Sequence, residues 1–222
     1  MLPRLIPVLA ACTLLGSVAS AQTAGLVGKM EGGTYVSATG EFKIPSPVLP
    51  ELGGTITDTP NVVTFTDSYN VQISIACFPQ DAEQKWEFET RGRRDYLLYF
   101  FTTFVLGDFQ GRFPGSKIES ARFVPELMDG ALIAYALLPG GSFFEGKNSV
   151  GPNSAPPVTA KRGTLVFARA GHVFVISSEL AERATERNTY QLSVEKEDAI
   201  LNDRLITLAG RLIFPAPKPR SP

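Results

Sequence analysis

Hydrophobic and polar positions alternate with a period of two along the early part of the chain. The clearest case is residues 71–77, where positions 71, 73, 75 and 77 are apolar and positions 72 and 74 are polar. The polar run Asp67–Asn70 separates this stretch from another apolar run, so residues 61–78 predict a β-hairpin. Residues 34–45 predict a second, shorter pair of strands around Gly40. Such alternation is typical of an antiparallel sheet with one solvated face.

Two later stretches have the spacing of amphipathic helices. One predicts an aromatic-rich central helix over about residues 91–107, whose apolar run between Asp95 and Asp108 is too short to cross a bilayer. The other predicts a C-terminal helix over about residues 194–213, with Ser193 as its N-cap. The residues expected to face the core are Leu97, Phe100, Phe101, Phe104 and Val105 in the first helix and Leu201, Leu205, Leu208 and Leu212 in the second.

The region between these two helices contains strands of a different kind. Residues 130–139 and 163–177 carry apolar side chains at both odd and even positions, and residues 169–171 supply a turn within the second stretch. Strands that are apolar on both faces belong to the middle of a sheet that is covered on each side. The whole pattern therefore predicts an α+β fold, in which the central and C-terminal helices pack on a mainly antiparallel sheet of about six to seven strands.

This order of elements resembles the PsbP-like family of exported α+β domains. The resemblance covers about residues 33–214 and rests on the early strand pairs, the central helix, the four later strands and the closing helix. No residue motif carries it, so it implies no particular functional residues. It implies a small exported accessory or ligand-binding domain that is usually non-enzymatic.

The N-terminus carries two overlapping export signals. Residues 1–21 combine the basic Arg4, an apolar run and the small residues Ala19 and Ala21, which is the pattern of a signal peptide cleaved after Ala21. Cleavage there predicts a periplasmic or secreted protein. The alternative is a lipobox ending at Cys12, which would leave a lipoprotein anchored through that cysteine. We expect no transmembrane span after signal removal.

The rest of the chain predicts a single domain. Residues 22–33 are small and Gly-rich, which indicates a flexible lead-in; residues 34–214 form the α+β domain; and residues 215–222 form a Pro-rich disordered tail. A long loop over residues 140–162 separates two central strands. Hydrophobic residues make up 44% of the chain, which is enough for a sizeable core. The formal net charge of −1 argues against nucleic acid as a partner.

No stretch of the sequence carries a catalytic or cofactor-binding motif. Residues 141–148 resemble a phosphate-binding loop, but Asn148 stands where Ser or Thr is needed and Pro152 prevents the helix that must follow, so we expect no nucleotide. His172 is the single histidine and is expected at the surface, without a metal, because a metal site needs further ligands. Cys77 is expected to be a buried, unreactive thiol. No cofactor is therefore predicted.

An arginine cluster before the aromatic helix offers candidate binding residues. Arg91, Arg93 and Arg94 lie where positive charge opposes the helix dipole. Either nearby acids such as Glu87 neutralise these arginines, or the arginines receive an anionic group from a ligand or a lipid.

The loop over residues 140–162 offers a second set. Loops of this length are uncommon and are usually functional or disordered. Phe143 and Phe144 are candidate recognition anchors, and Lys147 is the nearest basic residue, with Lys161 and Arg162 at the far end of the loop. The loop is therefore either a binding loop or an idle insertion.

These observations favour an exported, non-enzymatic binding or accessory domain of the bacterial envelope. Its expected partner is an envelope protein or a membrane-associated molecule. One alternative is a carrier whose aromatic helix and sheet enclose an apolar ligand or lipid. Another is a hydrolase that uses Ser and carboxylate groups without a recognisable motif.

Overall fold

The computed structural model describes residues 25–144, 158–186 and 189–216. The predicted signal peptide over residues 1–21, both export signals, Lys147 and most of the predicted tail lie outside the described residues. Within the described ranges the chain forms ten strands in two antiparallel sheets, together with several helices.

The small sheet lies at the beginning of the described chain. It has three strands in sequence order, β1 (Lys29–Glu31), β2 (Thr34–Val36) and β3 (Lys43–Pro45). β2 and β3 are the predicted early pair. β1 is a correction, because its residues were expected to be a flexible lead-in. Pairing with β2 orders them, from Lys29 opposite Val36 to Glu31 opposite Thr34.

The large sheet has seven strands, and every neighbouring pair is antiparallel, which confirms the predicted fold class. The strands are β4 (Thr55–Asp58), β5 (Val62–Thr66), β6 (Gln72–Pro79), β7 (Lys117–Val124), β8 (Ala131–Pro139), β9 (Thr159–Arg169) and β10 (His172–Glu179). Their spatial order is β4-β5-β6-β10-β9-β8-β7. The C-terminal half of the chain thus inserts β10 beside β6.

Both predicted hairpins of the large sheet are present. In the β5–β6 turn the Asp67 carboxylate accepts hydrogen bonds from the backbone N–H groups of Tyr69, Asn70 and Val71 at 2.8–2.9 Å. In the β9–β10 turn Ala170 and Gly171 have φ values of 50° and 76°. Two successive left-handed residues produce the twist that closes a two-residue hairpin.

The predicted central helix is longer and more broken than the sequence indicates. Residues 82–112 form α1 (Ala82–Arg91), α2 (Arg93–Phe100), a π-helical segment (Phe101–Val105) and α3 (Leu106–Arg112). Gly92, with a φ of 76°, separates the first two helices. Helix α1 contains no fully buried side chain and only two large apolar residues, Trp86 and Phe88, so the sequence offers little apolar pattern from which to predict it.

The π-helical segment also explains one wrong assignment. Leu97, Phe100 and Phe101 are buried as predicted, but Phe104 is 45% exposed. A π-helical turn contains more residues than an α-helical turn, so side-chain positions after Phe101 no longer follow the spacing on which the prediction was based. Phe104 therefore lies beside the buried stripe rather than within it.

Two further helices follow the large sheet. A single turn, α4 (Glu182–Thr185), precedes α5 (Val194–Gly210), which is the predicted C-terminal helix. The Ser193 hydroxyl accepts a hydrogen bond from the Lys196 backbone N–H at 3.4 Å, as expected of an N-cap. A Cβ atom at Gly163 of β9 would come within 3.1 Å of Leu201, so this glycine lets α5 approach the sheet closely.

The large sheet has two differently covered faces. On the α5 face, α5 and the small sheet pack against apolar side chains such as Ile75, Ile133 and Phe167. On the opposite face, Tyr96, Leu97 and Phe101 cover mainly β8 and β9. The β5, β6 and β10 part of this second face is only partly covered. We call the whole second face the groove face.

Two expectations about the strands change with this arrangement. Gln72, placed by the alternation on a solvated face, is only 8% exposed because it lies within the groove face rather than on an open sheet surface. Lys161 and Arg162 belong to β9, not to the loop, because β9 begins at Thr159. Their charges carried no strand signal in the sequence, yet both side chains find ion-pair partners within the fold.

Candidate functional site

A groove of about 420 Å³ lies between the central helices and strands β5, β6 and β10. Its volume falls within the range of sites that hold small molecules. The wall on the helix side is aromatic and aliphatic, and its aromatic members are Phe100, Phe104, Phe109 and Phe113; Phe78 of β6 adds a further aromatic ring from the sheet. We refer to this cavity as the groove.

A row of hydroxyl groups runs across four strands of this face, and its members on β5, β6 and β10 line the floor of the groove. Thr64 lies opposite Ser74, Ser74 opposite Ser177, and Ser177 opposite Thr164. Residues directly opposite one another in antiparallel strands share a face of the sheet. The Oγ atoms of Ser74 and Ser177 are 2.7 Å apart, which is a hydrogen-bond distance. We call these four residues the hydroxyl row.

The next row along the same strands is entirely apolar. It contains Val62, Ala76, Val175, Val166 and Leu132, and Phe100 and Phe101 belong to the same apolar cluster as most of its members. The groove face therefore changes from apolar to polar within the length of two residues. An apolar cavity with a polar end is the form of a site for an amphipathic molecule.

Three polar atoms at this polar end have no hydrogen-bond partner among the residues that the structure describes. They are Gln72 Oε1, Thr164 Oγ1 and Arg162 Nε. Gln72 is 8% exposed and Thr164 is fully buried. An unpaired buried polar atom costs about 1–3 kcal/mol, and natural folds avoid it unless it has another role. Gln72 and Arg162 line the groove, so a ligand there can reach them.

Each charged side chain that lines the groove has a partner of opposite charge. Arg162 Nη2 lies 3.3 Å from Glu179 Oε2, and its guanidinium lies over the Phe109 ring, 5.4 Å from the centroid. Burial lowers the pKa of Arg162 while Glu179 opposes that effect, and an arginine side chain keeps its charge under such conditions. At the rim, Arg112 Nη2 lies 2.7 Å from Asp108 Oδ1.

The predicted aromatic anchors lie next to the groove but do not line it. Phe143 is 43% exposed, and its ring makes an edge-to-face contact with Phe144 at a centroid distance of 5.5 Å. The Glu179 carboxylate accepts a hydrogen bond from the Phe143 backbone N–H at 3.0 Å and another from the Ser142 hydroxyl at 2.6 Å. The start of the loop is therefore tied to the ion pair at the polar end of the groove.

The predicted arginine cluster does not converge on one point. Arg91 pairs with Glu87 one helical turn away, as the neutralising alternative expected. Arg93 donates a hydrogen bond to the Ala168 carbonyl at 2.9 Å, whereas Arg94 comes no nearer than 4.0 Å to Asp95. None of these arginines lines the groove. Binding of an anion by them stays a prediction.

The single histidine and Cys77 have ordinary environments. The side chain of His172 is 20% exposed, less than expected, because Glu41 from the β2–β3 turn lies 3.8 Å from its Nδ1. Cys77 is buried as predicted, and burial raises the pKa of its thiol to about 12. The thiol therefore stays protonated and unreactive at neutral pH.

The described residues contain neither a metal cluster nor a membrane-crossing helix. No group of three or more His, Cys, Asp or Glu side chains in the described ranges is arranged to hold a metal ion. None of the helices in those ranges is long and apolar enough to span a bilayer.

A second polar cluster lies on the α5 face and joins α5 to β9. Lys161 is fully buried, with Nζ 3.0 Å from Glu197 Oε2 and 2.5 Å from Asp198 Oδ1, and it also contacts Glu119. Arg183 Nε lies 2.6 Å from Glu197 Oε1, and the Tyr190 hydroxyl donates to the same carboxylate. We call these six residues the α5 ion cluster. Every charge in it contacts an opposite charge, so it is a structural fastening.

The sequence did not reveal the groove residues. Thr64, Ser74 and Ser177 are ordinary polar residues in their own strands, and Gln72 was expected to face water. The available signal was the interruption of apolar strands by hydroxyl residues at matching positions. Using that signal requires the register between β6 and β10, whose paired serines are 103 positions apart.

Known proteins resemble this chain in their fold. No model of a known protein family matches the sequence, and no curated protein matches it. Among solved structures, the chain is similar to cyanobacterial PsbP (CyanoP) from Synechocystis sp. PCC 6803, with a TM-score of 0.48 and 14% identity over 90% of this chain and 100% of that one. It is also similar to the Ran-binding protein Mog1p from Saccharomyces cerevisiae, with a TM-score of 0.44 and 10% identity over 84% of this chain and 96% of that one. The structural similarity to PsbP predicted from the order of elements is thus confirmed over most of the chain, as a similarity of fold alone.

Proposed function

We propose that this protein is a non-catalytic binding domain of the bacterial envelope that holds a small, largely apolar molecule in the groove. The observation that carries the proposal is a partly uncovered sheet face, whose polar floor has unpaired buried atoms and whose wall is aromatic. This is the carrier that the sequence offered as an alternative to a domain that contacts a protein partner.

The aromatic wall supports binding of an apolar molecule. Phe104 is 45% exposed although its ring contacts Phe100, with 5.0 Å between centroids, and Tyr99. Leaving a phenylalanine half in water forgoes part of the roughly 1.5–3 kcal/mol that full burial provides. A ligand between Phe104 and the sheet would recover that free energy.

The lining of the groove also supports a non-catalytic role over the hydrolase alternative. A serine nucleophile needs a general base within hydrogen-bond distance. Ser74 and Ser177 bond to each other, and the Asp108 carboxylate at the rim is held by Arg112. Neither His172 nor Cys77 lines the groove.

The proposed location rests on the sequence. The pattern of residues 1–21 supports export and cleavage after Ala21, which releases the domain into the periplasm or the medium. Lipidation of Cys12 would instead hold the domain at a membrane surface. N-terminal sequencing and mass spectrometry of protein from the native host distinguish a chain that begins at Gln22 from one blocked by lipid. Contact with an envelope protein stays a prediction.

Probe binding to two matched variants tests the proposed site. N-phenyl-1-naphthylamine is a neutral aromatic molecule whose fluorescence rises in apolar surroundings. Phe104→Ala, in the groove, should weaken its binding about tenfold, which corresponds to about 1.4 kcal/mol. Phe143→Ala removes a phenylalanine of nearly equal exposure, 43% against 45%, from outside the groove and should leave binding unchanged.

The reverse result would move the site to the loop that begins at Phe143. Absence of any saturable probe binding by the wild-type chain would contradict the proposed function. Thermal melting of both variants provides the folding control, because each replaces a half-exposed side chain.

A further inference from the structure

We infer that the ligand of the groove carries an uncharged headgroup that both accepts and donates a hydrogen bond, such as a hydroxyl or a primary amide on an apolar chain. This inference rests on the proposed function. It concerns the polar end of the groove, where Gln72 and Arg162 lie beside the hydroxyl row.

The positive charges that line the groove are each paired with a negative charge. The lining contains two positive side chains, Arg112 and Arg162, and one negative side chain, Asp108. Arg112 contacts Asp108 through two nitrogens, at 3.0 and 2.7 Å, and Arg162 contacts the adjacent Glu179. Each positive charge thus has one negative partner, which leaves no net charge to attract an ion.

The Glu179 carboxylate beside the groove is held by several hydrogen-bond donors. It is fully buried and accepts hydrogen bonds from Ser142, Phe143 and Arg162. An anionic headgroup that accepts from Arg162 would place a second negative charge beside this buried carboxylate, with one guanidinium for both. A cationic headgroup beside Glu179 would place a second positive charge next to Arg162, with one carboxylate for both. A buried charge without a partner is strongly unfavourable, so both kinds of ion are disfavoured.

Two hydrogen-bonding atoms at the polar end of the groove remain available to a ligand. Gln72 Oε1 is an acceptor and Arg162 Nε is a donor, and neither has a partner among the described residues. One atom needs a donor and the other needs an acceptor, and hydroxyl groups and primary amides are uncharged groups that can serve as either. An ester or a ketone has no donor for Gln72 and satisfies only one of the two atoms.

A series of single-chain ligands with the same twelve-carbon tail tests the headgroup directly. The probe used is again N-phenyl-1-naphthylamine, displaced by dodecanol, dodecanamide, dodecanoate or dodecyltrimethylammonium below their aggregation concentrations. We expect dodecanol and dodecanamide to displace the probe at concentrations about tenfold or more below those of the two ions. Dodecanoate or dodecyltrimethylammonium as the strongest competitor, or equal competition by all four, would overturn the inference and leave the proposed function standing. A wild-type chain that binds neither the probe nor any of the four contradicts the proposed function itself.

A variant of the acceptor sharpens the same test. Gln72→Leu removes Oε1 and keeps a side chain of similar size, so the preference for dodecanol over dodecanoate should fall to about threefold or less. Gln191→Leu makes the same chemical change at an exposed position outside the groove and should keep the full preference. An unchanged preference in Gln72→Leu would also overturn the inference.

Discussion

The two faces of the large sheet solve the same packing problem in different ways. On the α5 face, Leu201, Leu205 and Leu208 cover apolar strand residues, and the buried charge of Lys161 contacts three carboxylates. On the groove face, buried hydroxyl and amide groups lie at the end of a cavity and some of their atoms have no partner. Both faces are built by alternate residues of the same strands.

The difference indicates how stability and binding are divided between the faces. Buried polar groups that are fully paired fasten elements together, whereas unpaired ones lower the stability of the free protein. The paired polar groups of the α5 face therefore stabilise the fold. The unpaired polar groups of the groove face make the free protein less stable, and a ligand can supply their missing hydrogen-bond partners. Changes on the two faces should consequently have opposite signs.

The largest expected effect lies on the α5 face. Lys161→Met keeps the length of the side chain but leaves the partly buried carboxylates of Glu119 and Asp198 without their cation. We expect a loss of about 3–5 kcal/mol in the free energy of unfolding, measured by urea titration. Lys196→Met, at an exposed position of α5, is the matched control and should change stability by less than about 0.5 kcal/mol. A loss below about 1 kcal/mol in Lys161→Met would show that the α5 ion cluster is not a fastening.

The second effect is the response of the same cluster to acid. Burial opposes ionisation of Glu197, but hydrogen bonds from Arg183, Tyr190 and Lys161 outweigh it and hold the pKa below its ordinary value of 4.5. The ionised carboxylate therefore contributes stability above pH 4.5, and this contribution is lost as the pH falls through the lower folded-state pKa.

Urea midpoints measured between neutral pH and pH 3 check this prediction. The wild-type chain should lose stability in the acid part of that range, and Glu197→Gln should start lower at neutral pH and lose less. Parallel curves for the two chains would mean that other carboxylates govern the acid response.

The smallest expected effect lies on the groove face and has the opposite sign. Thr164→Val replaces a fully buried hydroxyl that lacks a partner with a methyl group of similar size. We expect the free energy of unfolding to rise by about 1 kcal/mol, seen as a higher melting temperature. The control is Thr102→Val, which removes a hydroxyl that donates to the Leu98 carbonyl at 2.9 Å and should give no gain. Destabilisation by Thr164→Val would remove the contrast between the two faces.

The elements that could be predicted from the sequence depend on local chemistry. The β5–β6 hairpin follows from a period of two and from the side chain of Asp67, and α5 follows from its leucine spacing and Ser193. The aromatic-rich central helix was also predicted, and it ends later than expected because Leu106–Arg112 continues the helix after the π-helical segment.

The candidate site could not be predicted, because it depends on which strands become neighbours. Ser74 and Ser177 meet only when β10 inserts beside β6. Arg162 is a loop residue in the sequence pattern and a groove residue in the fold, because Glu179 of the neighbouring strand compensates its charge. Phe143 and Phe144 were candidate anchors in the sequence, and the structure places them beside the groove rather than in it.

The most direct test of the division between the two faces is a nuclear magnetic resonance titration of the ¹⁵N-labelled protein with dodecanol. Amide chemical shifts report which face the ligand contacts. We predict that the largest changes occur in β5, β6 and β10 around the hydroxyl row and in the central helices from Phe100 to Phe113, while the amides of Leu201, Leu205 and Leu208 stay unchanged. Changes centred on α5, or on Phe143 and Phe144 without the hydroxyl row, would contradict the account.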